Sequence, residues 1–595
     1  MAERQLTDRN ISQKAQLLPT RGDYPYYQLV DGVQEGIAGY FSDPDLVHLV
    51  EIGQPPEHIS ADFGIPCFPL ARKLRRAPNG IAEELALGLQ VIEGDFISAY
   101  DAEGPYLNID LNPRSYATAV ARSVFKWRDV YGGENTGHGQ HVVIDMSSPN
   151  IAKQMSIGHL RSTIIGDSLA KIAEVSGFKV TTDNHIGDWG TQFGKLIYAI
   201  KAWGDEKEIE REPIKALQEL YVKFHAEAEK DPKIEDEGRS WFKRLEDDDP
   251  EARRLWRKCV DWSMSEFQQV YDLLGVKFDV TLGESFYEPL LKPAVERVRT
   301  SGILVESKGA LGVDLSDKGL GFAIVLKTDG ATLYMTREIA TGMYRAEQMG
   351  ADQMVYVVGE DQKAYFQQYF EILRRLGYPI ADQSRHVYFG MVTLEEGRMS
   401  TRKGRVILLR DVIEESIERA EKILKQSNPD LFADSLKRAQ VARQVGIGAL
   451  KWNDLSADPK RSIVFNWDRM LAMDGYSGPY IQYSHARAQS VLEKGGTSNL
   501  NDVNVTAGEK EEMELVKAIA SFPAAVRKAA ETYAPAVVAT SLFEIAQVFN
   551  KFYHNHTILG AEGDLRDSRL ALTAATAQVF KNGLNLLGIE APGRM

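Results

Sequence analysis

Lys153, Gly158, His159, Arg161, Ser162 and Thr163 fall where a polar loop runs into the start of a helix. Unpaired backbone N–H groups and the positive end of the helix dipole make such a junction a phosphate site. The lysine, histidine and arginine add charge and donors. A second basic group, G-R-M-S-T-R-K-G at 397–404, carries Arg398, Arg402 and Lys403 between two glycines. That is the build of a loop able to close its charge onto a leaving phosphate. A third set, Asn184, His185 and Asp188 with Gly187 and Gly190, offers polar groups and close backbone approach just after a strand. Together these suit the binding of a phosphate-bearing ligand at the carboxyl edge of a sheet. No nucleophilic triad stands out, so no covalent intermediate is expected.

The elements that must hold these residues can be read from spacing. Val142, Val143 and Ile144 form a buried-strand run, Ser147, Ser148, Pro149 and Asn150 end it, and Leu160, Ile164, Leu169 and Ile172 then recur at helical spacing until Gly177. VTTDNHIGDWGTQFGKL (180–196) is a second strand and loop. Residues 197–262 read as charge-dense solvated helices with a Trp/Phe/Leu face, and 285–331 as a small β-rich module. The sheet is expected to resume in ATLYMTREIATGMYR (331–345). MVYVVGEDQKAYFQQYFEIL (354–373) is a further strand-to-helix crossing, and RHVYFGMVTLEEGRMSTRKGRVILL (385–409) follows. Strands alternating with helices indicate a doubly wound sheet.

Beyond about 413, segments 435–453, 508–531, 534–553 and 568–587 are helical in pattern. In the first part, ADFGIPCFPLARKLRRAPNGIAEELALGL gives a strand-like piece and then a Pro-bounded link into a helix around Ile81–Leu89, and 104–112 alternates as a strand. Residues 1–30 show too little periodicity to place. The predicted fold is therefore multidomain α/β. An α+β N-terminal domain spans 1–118. A Rossmann-type catalytic domain spans 119–412, with insertions at about 197–262 and 285–331. An all-helical C-terminal domain spans 413–595.

Composition narrows the setting. The chain has 595 residues, 44% hydrophobic and 26% charged, with a net charge of −14. Acidity argues against a general nucleic-acid coat but leaves room for local basic patches that grip one RNA. No apolar run is long enough to span a bilayer. MAERQLTDRN lacks the apolar core of a secretory leader. Two cysteines, Cys67 and Cys259, make neither a disulfide framework nor a four-thiolate zinc site, so a cytoplasmic location is expected. Cys67, in IPCFPL, reads as an inert buried thiol.

S-I-G-H at 156–159 resembles the HIGH box of class I aminoacyl-tRNA synthetases. The longer run S-P-N-I-A-K-x-M-x-x-G-H-L-R-S-T resembles the arginyl-tRNA synthetases in particular. N-H-I-G-D-W-G-T-Q-F-G (184–194), the 397–404 loop (a variant KMSKS), G-P-Y-I-Q-Y-S-H-A-R (478–487) and the ending P-G-R-M extend the likeness over 60–595. The resemblance implies a ligase that activates L-arginine with ATP and magnesium and transfers it to the terminal adenosine ribose of arginine tRNA. It implies a monomer and no membrane partner.

The resemblance also assigns roles. Lys153, Ser156, His159, Arg402 and Lys403 would serve catalysis, His159 by donating to a phosphate oxygen. Gly158, His159, Met391, Val392, Met399 and Ser400 would hold ATP, with adenine read by the main chain of Met391 and Val392. Asp145, Asn150, Glu284, Tyr334, Glu338 and Gln362 would hold arginine, since planar carboxylates suit a guanidinium. Tyr106, Asn108, Tyr480, Tyr483, Arg487, Tyr553 and Met595 would meet tRNA, the N-terminal domain at its corner and the C-terminal domain at the anticodon. No metal ligand set is implied. Five positions depart from the pattern. Ser156 replaces the first His of the box, Arg398 and Thr401 replace the lysines of the loop, Glu338 stands for the usual Asp, and Gly593 for a Glu. Lys153 matches the upstream lysine that stands in for the missing charge. Another class I synthetase, or a paralogue that binds tRNA without charging it, are the alternatives. A non-synthetase nucleotidyltransferase would not need residues 474–595.

Overall fold

In the computed structural model, residues 18–91, 95–394, 408–427, 434–496 and 502–595 are described. Three apolar runs and one mixed strand build the central sheet. These are β4 (His141–Asp145), β5 (Lys179–Asp183), β9 (Gln353–Gly359) and β10 (Arg385–Phe389), in the order β10-β9-β4-β5 and parallel throughout. Parallel strands need crossovers, and helix α1 (Ile157–Val175) links β4 to β5. Alternate residues of β4 face different cores: Val142 and Ile144 join the larger apolar cluster, Val143 the smaller. In β9, Val355 and Val357 face the first, Met354 and Tyr356 the second. The two-residue repeat of a strand thus builds both sides of a doubly wound layer.

Residues 334–347 depart from expectation. They form helix α3 (Tyr334–Glu347), which follows the long helix α2 (Pro250–Leu274) in the chain. The buried residues Met335, Ile339, Ala340 and Met343 recur at helical intervals, so the apolar content that suggests a strand belongs to an amphipathic helix. The sheet resumes only at β9. Between α2 and α3 lie the helix Leu291–Thr300 and an antiparallel sheet of β6 (Leu304–Ser307), β7 (Ala310–Asp314) and β8 (Phe322–Leu326).

The N-terminal part pairs β1 (Phe63–Pro66) and β2 (Ile97–Glu103) with β3 (Tyr106–Leu111) between them, against the helices Pro25–Tyr40 and Pro78–Gly88. The first of these helices opens the part of the chain that spacing does not place. A short parallel pair, β11 (Val392–Leu394) and β12 (Ile463–Phe465), joins the nucleotide side to the helical part. There α4 (Ser435–Leu455), α5 (Gly478–Gly495), α6 (Lys510–Thr532), α7 (Ala536–Asn555) and α8 (Gly563–Leu586) pack together. Among the described residues no helix is long and apolar enough to cross a membrane. Cys67 and Cys259 are free and buried, and burial raises their thiols to about 11 and about 12, so both are inert.

Candidate active site

The loop from β4 to α1 is strained. Ser147, Ser148 and Ala152 have φ of 71°, 50° and 61°, the left-handed region that side chains avoid. A buried network of hydroxyls holds it. The Ser147 N–H donates to Ser162 Oγ (2.8 Å), and Ser162 donates to the Val357 carbonyl of β9 (2.6 Å). Ser147 Oγ lies 2.9 Å from both Thr163 Oγ1 and the Tyr271 hydroxyl, which also receives Asn184 Nδ2 at 3.1 Å. The Ala152 N–H donates to Ser263 Oγ (3.0 Å). Helix α2 therefore clamps the loop from outside, leaving Asn150 and Lys153 exposed. Gly187 pairs with this loop, donating to the Pro149 carbonyl and accepting from Ile151, and a Cβ there would collide with Asn150.

Ser156 caps α1, and His159 lies in its first turn. Their contact is a backbone N–H of Ser156 donating to His159 Nδ1 at 3.0 Å. Gly158 is exposed beside them. Arg161, Ser162 and Thr163, expected at a phosphate, are buried and spent on structure. Arg161 grips Asp454 of α4 through Nε and Nη2 and donates from Nη1 to the carbonyls of Gly390 (2.7 Å) and Arg461 (2.9 Å).

Gly390 leads into Met391 and Val392. Met391 is 74% exposed and its carbonyl accepts from Ile463, while Val392 is buried in β11. Arg398, Met399, Ser400, Arg402 and Lys403 lie outside the described residues. The chain re-enters at Leu408, bridged to Ser156, and the Leu409 N–H donates to the Met155 carbonyl at 2.9 Å. Leu408 and Leu409 thus form one backbone junction with the Met155–Ser156 turn.

Beside this junction is a pocket of unpaired polar atoms. Asp145 and Asp183 sit side by side at the ends of β4 and β5. Arg345, on α3, donates from Nη2 to both at 2.7 Å, and Ser148 donates to Asp145. Asp145 thus enters the pocket already paired. Asp145, Asp183 and His185 lie close enough to hold a cation, but the guanidinium already occupies the carboxylate edge, so the group does not fit a metal. Asp188 is likewise spent, accepting from the Ser285 N–H (2.8 Å) and hydroxyl (2.6 Å) to fix the turn that carries Glu284.

Glu338 shares a face of α3 with Arg345, seven residues on. Its Oε2 is buried without a partner. Burial raises its carboxyl to about 7, with Asp145 and Glu284 acting the same way and His185 and Arg345 opposing. Burial raises Glu284 also, against the pull of Arg337, whose Nη1 lies 3.8 Å away and whose Nη2 is held by Glu288. Tyr334 is 70% exposed at the start of α3 and Gln362 is exposed just before the helix Lys363–Arg375, so both form rim rather than wall. His185 Nδ1 is unpaired, its ring 5.4 Å from Tyr287. Tyr287, Arg337, Arg345 and Tyr365 also reach this place, and spacing flagged none of them.

The residues expected at RNA lie apart from this pocket. Tyr106 and Asn108 share one face of β3. Tyr106 is half-buried edge-on to Phe68, whereas Asn108 is 3% exposed with Oδ1 unpaired, so as it stands the aromatic pair is what that face presents. On the helical side the Arg487 guanidinium lies 4.8 Å from the Tyr483 ring and 4.9 Å from the Tyr553 ring, and Asn550 ties Arg487 to the Tyr480 hydroxyl. Tyr553 is 41% exposed at this stack. After α8 the tail crosses α4 and α5. Gly588 and Glu590 offer carbonyls to Lys451 (2.6 Å) and Gln482 (2.8 Å), the Pro592 carbonyl takes His485 Nδ1 (2.9 Å), and Met595 packs partly buried on the core.

This arrangement has relatives. The model for the class I (R) tRNA synthetase catalytic domain matches residues 123–467, the DALR anticodon binding domain 481–595, and the arginyl tRNA synthetase N-terminal domain 28–111. The arginine–tRNA ligase of Halothermothrix orenii is 42% identical over 93% of this chain and 96% of its own. That of Lactococcus lactis subsp. lactis is 44% identical over 91% and 95%. The arginyl-tRNA synthetase structure of Thermus thermophilus superposes with a TM-score of 0.78 at 26% identity, covering 95% of this chain and 99% of that one. Three matched domains in order, and relatives of nearly equal length, leave one placement: the chain belongs to the class I arginyl-tRNA synthetase family.

Proposed function

We propose that the chain is an arginine–tRNA ligase. The observation that carries this reading is the buried, unpaired Glu338 carboxyl beside Glu284 at the carboxyl edge of the sheet. A desolvated carboxylate without a donor is costly unless a cation arrives, and a guanidinium offers planar N–H pairs that match it. Asn150 takes the α-amino and carboxyl end, with Asp145 lending charge through the wall. Tyr334 and Gln362 close the rim. The arginine carboxylate attacks the α-phosphorus of ATP, and pyrophosphate leaves as the P–O bond to the β-phosphate breaks. The Nε2–H of His159 donates to the phosphate oxygens. Lys153 and the loop residues Arg402 and Lys403 balance their charge, while Ser156 fixes His159. Gly158, the main chain of Met391 and Val392, and Met399 and Ser400 hold the nucleotide. Magnesium arrives as the ATP complex, with no protein ligands assigned to it. The terminal ribose hydroxyl of arginine tRNA then takes the acyl group and AMP leaves.

The tRNA corner meets Tyr106, with Asn108 beneath it. The anticodon meets Tyr480, Tyr483, Arg487, Tyr553 and Met595. The domains divide at about 118 and 412, and the protein acts as a cytoplasmic monomer. Family likeness further implies that adenylate forms only with tRNA bound. The test is aminoacylation of total tRNA with ATP–magnesium and each labelled amino acid in turn. Arginine alone should be charged. Charging of another amino acid, or none with tRNA still bound, would overturn the reading.

A further inference from the structure

We infer that Tyr365 is a specificity-determining residue of this pocket, its hydroxyl accepting an N–H from the guanidinium that Glu338 holds. The inference rests on reading the site as an arginine pocket.

Among the described residues, seventeen buried side-chain polar atoms lack a hydrogen-bond partner, and seven of them belong to this one place. They are His185 Nδ1, the hydroxyls of Tyr287 and Tyr365, Arg337 Nε, Glu338 Oε2, and Nε and Nη1 of Arg345. Native interiors rarely leave buried polar atoms unpaired, so a concentration of them marks where a ligand completes the set. Tyr365 is the clearest case. It stands in the first turn of the helix Lys363–Arg375, its ring edge-on to Phe366 at 5.7 Å. Phe366 in turn packs on Tyr356, Phe370 and His386, so the ring has little freedom to carry its oxygen elsewhere. Burial keeps the phenol protonated, and Glu338 is the first charged group to bear on it, ahead of Arg337 and Glu284. A phenylalanine would fill the same space without hiding an oxygen from water. The hydroxyl gives the empty fold nothing, and its use must come with the ligand.

The chemistry of a guanidinium fits that use. It carries five N–H donors in a plane. Glu338 can take a parallel pair, and the phenol lone pairs can take a third. A lysine ammonium has three tetrahedral donors and cannot give the carboxylate a planar parallel pair. A site built to be hydrogen-bonded rejects such an analogue strongly.

The test is Tyr365→Phe, measured in three ways: KM for L-arginine in tRNA charging, KM for ATP, and the melting temperature of the ligand-free protein. KM for arginine should rise tenfold or more, KM for ATP should not move, and the free protein should melt at the same or a higher temperature. The last readout separates binding from scaffolding, since an oxygen with a structural partner would be missed on melting. Wild-type KM for arginine in the variant, or a lower melting temperature, overturns the inference. If the wild-type chain fails to charge arginine, the pocket reading itself falls.

Discussion

Ser156 donates its backbone N–H to Nδ1 of His159 across 3.0 Å, with its hydroxyl 3.1 Å from the same nitrogen. A backbone N–H can only donate, so Nδ1 accepts from it in preference to the longer 3.3 Å approach to the Ser156 carbonyl, and the ring proton sits on Nε2. Burial lowers the imidazole below its usual range, and Lys153 acts in the same direction against the Ser156 carbonyl. The ring is therefore neutral near pH 7 and offers one N–H. The backbone at Ser156, rather than the serine side chain, sets the tautomer of His159.

Ser156→Ala keeps the backbone donor and should lower kcat/KM for ATP by less than about tenfold. His159→Ala removes the donor to phosphate and should cost roughly 10²–10³-fold. Steady-state charging at saturating arginine measures both. Equal losses would mean that the hydroxyl, rather than the backbone, orients the ring.

Arginine binding should depend on pH through Glu338. Its folded carboxyl titrates at about 7 against 4.5 for the free group. The raised value means the folded chain favours the neutral acid. The ligand-free protein therefore loses stability as pH rises from about 4.5 through 7, by about 3 kcal/mol at 1.36 kcal/mol per unit. A guanidinium selects the ionised form, so arginine affinity should fall up to about tenfold per unit below pH 7. Calorimetric titration between pH 5.5 and 8.5 follows it, and Glu338→Gln should flatten the slope while weakening binding at every pH.

The Arg161–Asp454 pair is buried on both sides. Asp454→Ala would strand the guanidinium at a cost of about 3–5 kcal/mol, whereas Arg161→Met with Asp454→Leu should recover most of it. Because Arg161 also holds the Gly390 carbonyl, the double variant should still show a raised KM for ATP. Thermal melts and ATP kinetics on the wild type and the two variants measure both effects.

Tyr553→Ala should raise KM for tRNA by about 5- to 150-fold, the worth of one stacked base at ~1–3 kcal/mol. KM for arginine and ATP should not change. Filter binding of arginine tRNA is the independent check, and unchanged tRNA affinity would move the anticodon away from the Tyr483–Arg487–Tyr553 stack.

The sequence makes the strand, loop and helix of 141–177 plain, because strand and helix periods follow each other directly there. The C-terminal helices are legible for the same reason. Residues 331–345 mislead, since Met335, Ile339 and Ala340 are apolar enough for a strand and only their burial reveals the helical repeat. The helix Pro25–Tyr40 escapes because glycines at 32, 36 and 39 dilute its apolar face. The pocket is legible only in part. Glu338 and Glu284 can be named from a motif, but Arg345 pairing with Asp145 and Asp183 joins residues far apart in the chain. No local spacing carries such partnerships. Arg161 looks like a phosphate ligand until Asp454, 293 residues away, claims it.

The hydroxyl of Ser168, on the helix that carries His159, donates to the carbonyl of Leu586, 418 residues later. A ribosome adding 5–20 residues per second needs roughly 20–80 s to bridge that gap. Through that interval α1 is without its Leu586 partner, and neither Lys451 nor Gln482 has its tail carbonyl. The nascent catalytic unit can form its sheet early but must wait for the far end of the chain to lock its signature helix. Translation order thereby makes the charging centre one of the last parts of the molecule to mature.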